Sequence, residues 1–109
     1  MQLATWNVNS LRVRMPHLLT WLDGKPLDLV AMQELKLIDA DFPRGELEQA
    51  GWQALCSGQK TYNGVAILAR TEGRDVVRDI PGFDDLQRRV LAATYGDVRV
   101  INLYVPNGQ

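Results

Sequence analysis

Three residues of types that bind metal ions or phosphate stand at or near the ends of apolar, strand-like segments: Asn7, Glu34 and Tyr104. A carboxylate is an oxygen ligand for a hard cation such as Mg²⁺, which takes one or two carboxylates and keeps several waters. An amide can orient that carboxylate or donate to a phosphoryl oxygen. A tyrosine hydroxyl can donate to a phosphate or help to position a nucleophile.

Each residue also has a simpler explanation. Glu34 could pair with Lys36 at the end of a strand, and Asn7 could shape a turn together with Asn9. Tyr104 could be an ordinary strand residue before the turn Pro-Asn-Gly. Taken singly, each residue fits the simpler explanation better. The chemical interpretation therefore depends on whether the fold brings the three together.

The first third of the chain predicts a strand–helix–strand unit. Residues 2–8 and 28–32 have strand character, and Pro16 suits the first turn of a helix that ends at residues 23–26. A run that is apolar on both faces indicates a buried parallel strand. Because a right-handed crossover places the carboxyl ends of both strands on one edge, we expect Asn7 and Glu34 there. Ligands bind at that edge in open α/β sheets.

The remainder of the chain predicts one short helix and then mainly strands. The helix covers residues 43–50 and ends at Gly51. Clusters of Gly, Asp and Pro separate the strand-like segments, and we expect a tight hairpin turn at residues 95–98. The strand-like segments are residues 52–56, 62–69, 75–78, 89–95 and 98–105.

Composition limits the class of protein. The 109 residues are 46% hydrophobic and 23% charged, as in an average globular domain, which argues against a disordered tail or a disulfide scaffold. The net charge of −1 argues against non-specific binding of nucleic acid by the whole surface. No apolar segment is long enough for a membrane span. We expect the single cysteine, Cys56, to be a buried small hydrophobe in a reducing cytoplasm, and His17 to face solvent.

An ordered series of motifs resembles the exonuclease III-type apurinic/apyrimidinic endonucleases of the endonuclease/exonuclease/phosphatase superfamily. Each motif is weak alone, but the series covers the whole chain with plausible spacing. The motifs are Thr-Trp-Asn-Val-Asn-Ser at residues 5–10, Gln-Glu-Leu-Lys at 33–36, Tyr-Asn-Gly-Val-Ala-Ile-Leu at 62–68, Asp-Leu-Gln-Arg-Arg at 85–89 and Tyr-Val-Pro-Asn-Gly at 104–108.

The resemblance implies an α/β fold, the N-terminal half of a deoxyribonuclease I-like four-layer sandwich, with residues 1–109 as a single partial domain. It implies Mg²⁺-dependent DNA repair, with Mn²⁺ as an alternative metal, by hydrolysis of double-stranded DNA at abasic sites and 3′ ends. Glu34 would be the metal ligand, Asn7 would support the metal and phosphate site, and Tyr104 would be the catalytic tyrosine near the scissile phosphate. Candidates for holding the DNA backbone are Lys36, Tyr62, Asn63, Arg88 and Arg89.

The family's water-activating Asp-x-Asn segment and its terminal Asp-His pair have no counterpart among these residues. We therefore expect little or no nuclease activity from the chain alone, and self-association through uncovered strands. Two other functions stay open. One is a different phosphodiesterase or phosphatase of the superfamily, which inositol phosphate binding would favour. The other is a non-catalytic binding or assembly module, which a failure to bind Mg²⁺ would favour.

Overall fold

The protein, seen in a computed structural model, is described for residues 2–24, 26–58, 63–78 and 90–104. The described elements alternate strands and helices at first and then consist of strands alone. They are β1 (Leu3–Asn7), α1 (Leu11–Leu22), β2 (Leu29–Gln33), a 3-10 turn (Asp39–Asp41), α2 (Arg44–Gln49), β3 (Gln53–Ser57), β4 (Val65–Ala69), β5 (Arg74–Arg78), β6 (Val90–Tyr95) and β7 (Val98–Leu103).

The strands form two sheets. The first has the order β1-β2-β4-β3, with β1 parallel to β2 and the remaining pairs antiparallel. The second is the antiparallel meander β5-β6-β7. This confirms the predicted α/β class, with a βαβ start followed by mainly antiparallel strands.

Alternation along the first sheet creates two separate cores. One face packs against the helices, where Leu18 of α1 and Leu47 of α2 meet residues such as Leu68. The other face packs against the second sheet, where Ile67 meets Leu91. All residues of β4 are buried, as expected of a strand covered on both faces. The layers therefore run helices, first sheet, second sheet.

Helix α1 begins earlier than the sequence predicted. We expected Pro16 in the first turn of the helix, but α1 begins at Leu11, five residues earlier. The N–H groups of a helix's first turn have no partner inside the helix. Here the Ser10 N–H donates to the Glu34 carbonyl over 2.9 Å and the Leu11 N–H donates to the Leu35 carbonyl over 3.0 Å. These long-range bonds fix the start of α1, and the local sequence does not reveal them.

The other predicted elements are found within a few residues of their expected bounds. The hairpin at residues 95–98 is confirmed by the pairing of Tyr95 with Val98. The outer ends of three predicted strands, at residues 62, 89 and 105, lie outside the described residues. Neither helix in the described ranges is long and apolar enough to cross a membrane.

Gly64 lies in a loop that admits only glycine without strain. Its φ is +91°, and a Cβ added there would lie 3.0 Å from the Leu35 Cβ. Its carbonyl accepts a hydrogen bond from the Leu35 N–H over 3.2 Å. Gly64 therefore allows two loops to approach each other beside Glu34.

We predict that Gly64→Ala lowers the free energy of unfolding by about 1–3 kcal/mol, because it adds backbone strain and a steric contact. Denaturant titration followed by circular dichroism measures this. The matched control is Gly45→Ala in α2, where an added Cβ meets no atom within 4 Å, and alanine favours a helix. Equal stability of the two variants would contradict the described packing of the loop.

Candidate active site

Tyr104 and Glu34 meet where the two sheets end. The Tyr104 Oη donates a hydrogen bond to Oε1 of Glu34 over 2.7 Å. Tyr104 follows β7 in the second sheet, whereas Glu34 follows β2 in the first. Both residues are half-buried. We call this end of the molecule, where β1, β2 and β7 finish, the site edge.

The segment after β2 is held by backbone hydrogen bonds on both sides. On one side, the carbonyls of Glu34 and Leu35 accept from the start of α1. On the other, the Leu35 N–H donates to the Gly64 carbonyl over 3.2 Å and the Lys36 N–H donates to the Asn63 carbonyl over 3.1 Å. The backbone that carries the Glu34 carboxylate is therefore fixed rather than part of a free loop.

Left-handed backbone conformations cluster at the site edge. Such conformations are uncommon for residues other than glycine and cost of order 1–3 kcal/mol each. They persist where the surrounding structure enforces them, which happens most often at functional sites. The residues and their φ angles are Asn9 (46°), Ser10 (85°), Glu34 (57°), Lys36 (58°) and Asn63 (53°).

Asn7 lies at the same edge as Glu34, as the strand–helix–strand argument predicted. It is paired in register with Gln33, the residue before Glu34. Its Oδ1 accepts a hydrogen bond from the Asn9 N–H over 3.1 Å, so it also has the simpler role of shaping a turn. Asn7 is exposed and lines the same groove as Tyr104.

That groove has a volume of about 600 Å³ and runs between the first strand pair and β7. It gives a ligand access to the side chains at the site edge. Its polar lining residues are Thr5, Asn7, Gln33, Asn102 and Tyr104.

Lys36 does not pair with Glu34, although its position two residues later suggested such an ion pair. Its Nζ contacts Oδ1 of Asn9 over 2.6 Å, while the carboxylate of Glu34 receives the Tyr104 hydroxyl. The interpretation of Glu34 as a strand-end carboxylate paired with Lys36 is therefore wrong. Of the other residues proposed to hold DNA, Asn63 is buried beside the Glu34 segment. Tyr62, Arg88 and Arg89 lie outside the described residues.

A polar network behind the site was missed at the level of sequence. The Gln33 Nε2 donates to Oγ1 of Thr5 over 2.9 Å and to Oδ1 of Asn102 over 2.8 Å. The Asn102 Nδ2 donates to the carbonyls of Met32 and Ala66, over 2.9 and 2.8 Å. Asn102 is only 3% exposed. The available signal was the alternation of Asn102 with Val98 and Val100 along its strand, which places a polar residue on the apolar side, where buried polar groups require partners.

The donor set at the site edge fits a hard divalent cation that keeps most of its water. The carboxylate of Glu34 can accept at more positions than the one that Tyr104 uses, and the oxygen of Asn7 is also a suitable ligand type. In the described part of the chain, no three His, Cys, Asp or Glu residues are grouped to hold a metal ion. Through Glu34, these residues can offer such a cation a carboxylate oxygen, and Mg²⁺ bound by one or two carboxylates usually keeps several waters.

Cys56 and His17 lie apart from this chemistry. Burial and the neighbouring Asp39 raise the pKa of the Cys56 thiol to about 11, so it is a neutral, unreactive group at ordinary pH. It is 2% exposed, as we expected. His17 is exposed on α1, also as expected.

A helix layer packed on one sheet, with a second sheet on its other face, matches the deoxyribonuclease I-like α/β sandwich. The chain belongs to the Endonuclease/Exonuclease/phosphatase family, whose model matches residues 4–107. Nucleases of this family depend in general on metal ions.

Named relatives are nucleases that act on DNA. Exodeoxyribonuclease III of Haemophilus influenzae is 32% identical over 114 residues, covering 100% of this chain and 43% of the relative. The 3′-5′ exonuclease from Neisseria meningitidis is 51% identical with a TM-score of 0.95, covering 99% and 43%. An AP endonuclease from Archaeoglobus fulgidus is 36% identical with a TM-score of 0.93, covering 99% and 42%. The chain therefore spans less than half the length of these relatives.

We predict that Tyr104→Phe lowers the free energy of unfolding by about 1–2 kcal/mol, because Glu34 loses a hydrogen bond to its charged group. The control is Tyr95→Phe. Burial raises the pKa of Tyr95 to about 12, and no described residue offers its hydroxyl a hydrogen bond, so its removal should leave stability equal or higher. Chemical denaturation compares the two variants. A Tyr104→Phe chain as stable as the Tyr95→Phe chain would contradict the contact with Glu34.

Proposed function

We propose that the residues at the site edge form part of a metal-dependent nuclease site of the exonuclease III type. The substrate would be double-stranded DNA, cut at abasic sites or processed at 3′ ends. The hydrogen bond between Tyr104 and Glu34 carries the proposal, because it unites in one place the carboxylate and hydroxyl that the sequence motifs suggested. The relatives named exodeoxyribonuclease III and AP endonuclease support it.

In this proposal, each side chain has a distinct task. Glu34 would hold Mg²⁺, or Mn²⁺ as an alternative, beside Tyr104, which lines the groove. When bound, such a cation would stabilise charge on the phosphate oxygens and lower the pKa of a bound water molecule. Tyr104 orients the Glu34 carboxylate through its hydroxyl. Asn7 presents an exposed amide to a phosphoryl oxygen in the same groove.

Contacts to the DNA backbone would come from a few local groups, since the chain as a whole carries a net charge of −1. Lys36 is the described candidate, because Asn9 holds its ammonium group next to the Glu34 segment. Asn63 acts through the backbone at Lys36 in addition to any contact with DNA. Tyr62, Arg88 and Arg89 complete the proposed set.

Processing of 3′ ends has particular support. The Neisseria relative is described both as a 3′-5′ exonuclease and as a 3′ phosphatase bound to product DNA hairpin. It shares 51% of aligned residues with this chain. Removal of a nucleotide and removal of a 3′ phosphate both require water to attack a phosphorus atom at the 3′ end, so one site can serve both reactions.

We predict that the 109-residue chain binds Mn²⁺ through Glu34 but cleaves an abasic-site duplex poorly. The reason for poor cleavage is that, among the described residues, no three His, Cys, Asp or Glu side chains are grouped to hold a metal ion and supply a base. Calorimetry should show Glu34→Gln weakening Mn²⁺ binding about tenfold or more. Glu48→Gln, which removes an exposed carboxylate on α2, is the matched control and should change nothing.

Metal binding at Glu34 and poor cleavage by the chain can each be contradicted by a separate result. Equal Mn²⁺ affinity in Glu34→Gln and Glu48→Gln would remove the metal from the proposed site. Strong cleavage by the purified chain with Mg²⁺, lost in Glu34→Gln, would show that the residues present already suffice.

We also propose that the chain self-associates, since apolar side chains stand exposed along the edges of both sheets. Leu3, Ile101 and Leu103 are 53%, 66% and 54% exposed. Sedimentation velocity should show dimers or larger species at micromolar concentration, and Ile101→Lys should shift the distribution toward monomer. The control Thr20→Lys adds the same charge at an exposed position of α1 and should not shift the distribution. A monomeric wild-type chain at every concentration would contradict this proposal.

A further inference from the structure

We infer that Asn102 is a positioning residue for the site edge. Its buried amide links β7 to both β2 and β4, and so fixes the separation of Tyr104 from Glu34. The expected effect on metal binding rests on the proposed function. The positioning of Tyr104 and Glu34 rests on the hydrogen bonds of Asn102 alone.

The Asn102 amide has hydrogen-bond partners at both its nitrogen and its oxygen. The two N–H groups of Nδ2 have two acceptors, the carbonyls of Met32 and Ala66, which face each other across the β2–β4 pair. Its Oδ1 accepts from the Gln33 Nε2 over 2.8 Å. A single side chain of the second sheet is thereby bonded to two strands of the first.

We call the three hydrogen bonds of the Asn102 side chain the Asn102 clamp. The spacing along β2 and β7 links this clamp to the site edge. Asn102 is two residues before Tyr104, which directly follows β7, and Met32 is two residues before Glu34, which directly follows β2. The bond from Asn102 to the Met32 carbonyl and the bond from Tyr104 to Glu34 therefore join the same two segments at neighbouring positions. A shift of one segment against the other at the first bond would also displace the second.

Packing between the sheets and the hydrogen bonds of Asn102 constrain this separation in different ways. The inter-sheet core consists of apolar side chains such as Ile67 and Leu91, and hydrophobic attraction has no direction. The bonds from Asn102 to the Met32 and Ala66 carbonyls are directional and buried, and hydrogen bonds inside a protein are stronger than in water. They therefore add a directional constraint to the packing of the core.

Gln33 extends the clamp to β1. Its Nε2 also donates to Oγ1 of Thr5 over 2.9 Å, and it is itself the residue before Glu34. The polar chain thus runs from β1 through β2 to β7 behind the groove. The same network that holds the Tyr104 strand holds the strand that carries Asn7.

The test compares Asn102→Leu, Gln33→Met and the double variant, all in the full chain. Each single change leaves buried polar groups without a partner, so each should lower Tm. In the double variant two apolar side chains replace the bonded pair, so Tm should partly recover. The alignment of Tyr104 with Glu34 should not recover, because the double variant lacks the hydrogen bonds of Asn102 and Gln33. The control is Ile67→Ala, which creates a cavity in the same inter-sheet core. It should lower Tm while the Asn102 clamp stays intact.

Two readouts follow the site itself. Proton–proton NOEs between the Tyr104 ring and the Glu34 side chain report the contact without any ligand. Calorimetric affinity for Mn²⁺ reports the metal site. We expect the NOEs to weaken and the affinity to fall about tenfold in the single and double variants. Both should stay unchanged in Ile67→Ala. If Asn102→Leu does not fold, Gln33→Met at a half-buried position carries the test.

The outcomes separate the inference from the proposed function. If NOEs and affinity follow Tm across all variants, including Ile67→Ala, Asn102 has only a structural role and the inference fails. If they remain intact in the clamp variants, it also fails. If the wild-type chain binds no Mn²⁺ but the NOEs behave as expected, the positioning role stands and the proposed metal site fails.

Discussion

The contact between Tyr104 and Glu34 depends on alignment of two separate sheets. Tyr104 belongs to the second sheet and Glu34 to the first, and their oxygens lie 2.7 Å apart. A displacement of one sheet of about 1 Å would break this bond, since side-chain oxygens hydrogen-bond only within a narrow range of distances. The surrounding structure meets this requirement through the bonds of Asn102 behind the site and through backbone bonds that hold the Glu34 segment.

The strained backbone at the site edge is explained by the same requirement. A strand that simply continued past Gln33 would carry Glu34 away from the groove. The left-handed conformations at Glu34 and Lys36 turn the chain instead, and Gly64 leaves room for the turn beneath. Their cost is offset by hydrogen bonds to the start of α1 and to the loop at Asn63 and Gly64. The strained backbone lowers stability locally but holds the Glu34 carboxylate in place, a pattern common at functional sites.

Sequence predicted the parts of the fold that follow from local pattern. The apolar run at residues 28–32, the crossover helix and the hairpin at residues 95–98 each carry their own signal, and the parallel arrangement placed Asn7 and Glu34 on one edge. The features that the sequence analysis missed depend on contacts between segments that are distant along the chain. The start of α1 at Leu11 is set by carbonyls of Glu34 and Leu35. The role of Asn102 appears only when its strand is packed on β2 and β4. The roles assigned to Glu34, Asn7 and Tyr104 in chemistry stay predictions.

Paramagnetic NMR can locate a divalent cation at the site edge and show whether Glu34 holds it. Mn²⁺ added at substoichiometric concentration broadens signals of nuclei near its binding site. We expect broadening to be centred on Glu34, Asn7 and Tyr104 and to disappear with excess Mg²⁺. Broadening centred on the exposed carboxylates of α2, Glu46 and Glu48, with Glu34 unaffected, would contradict cation binding at Glu34.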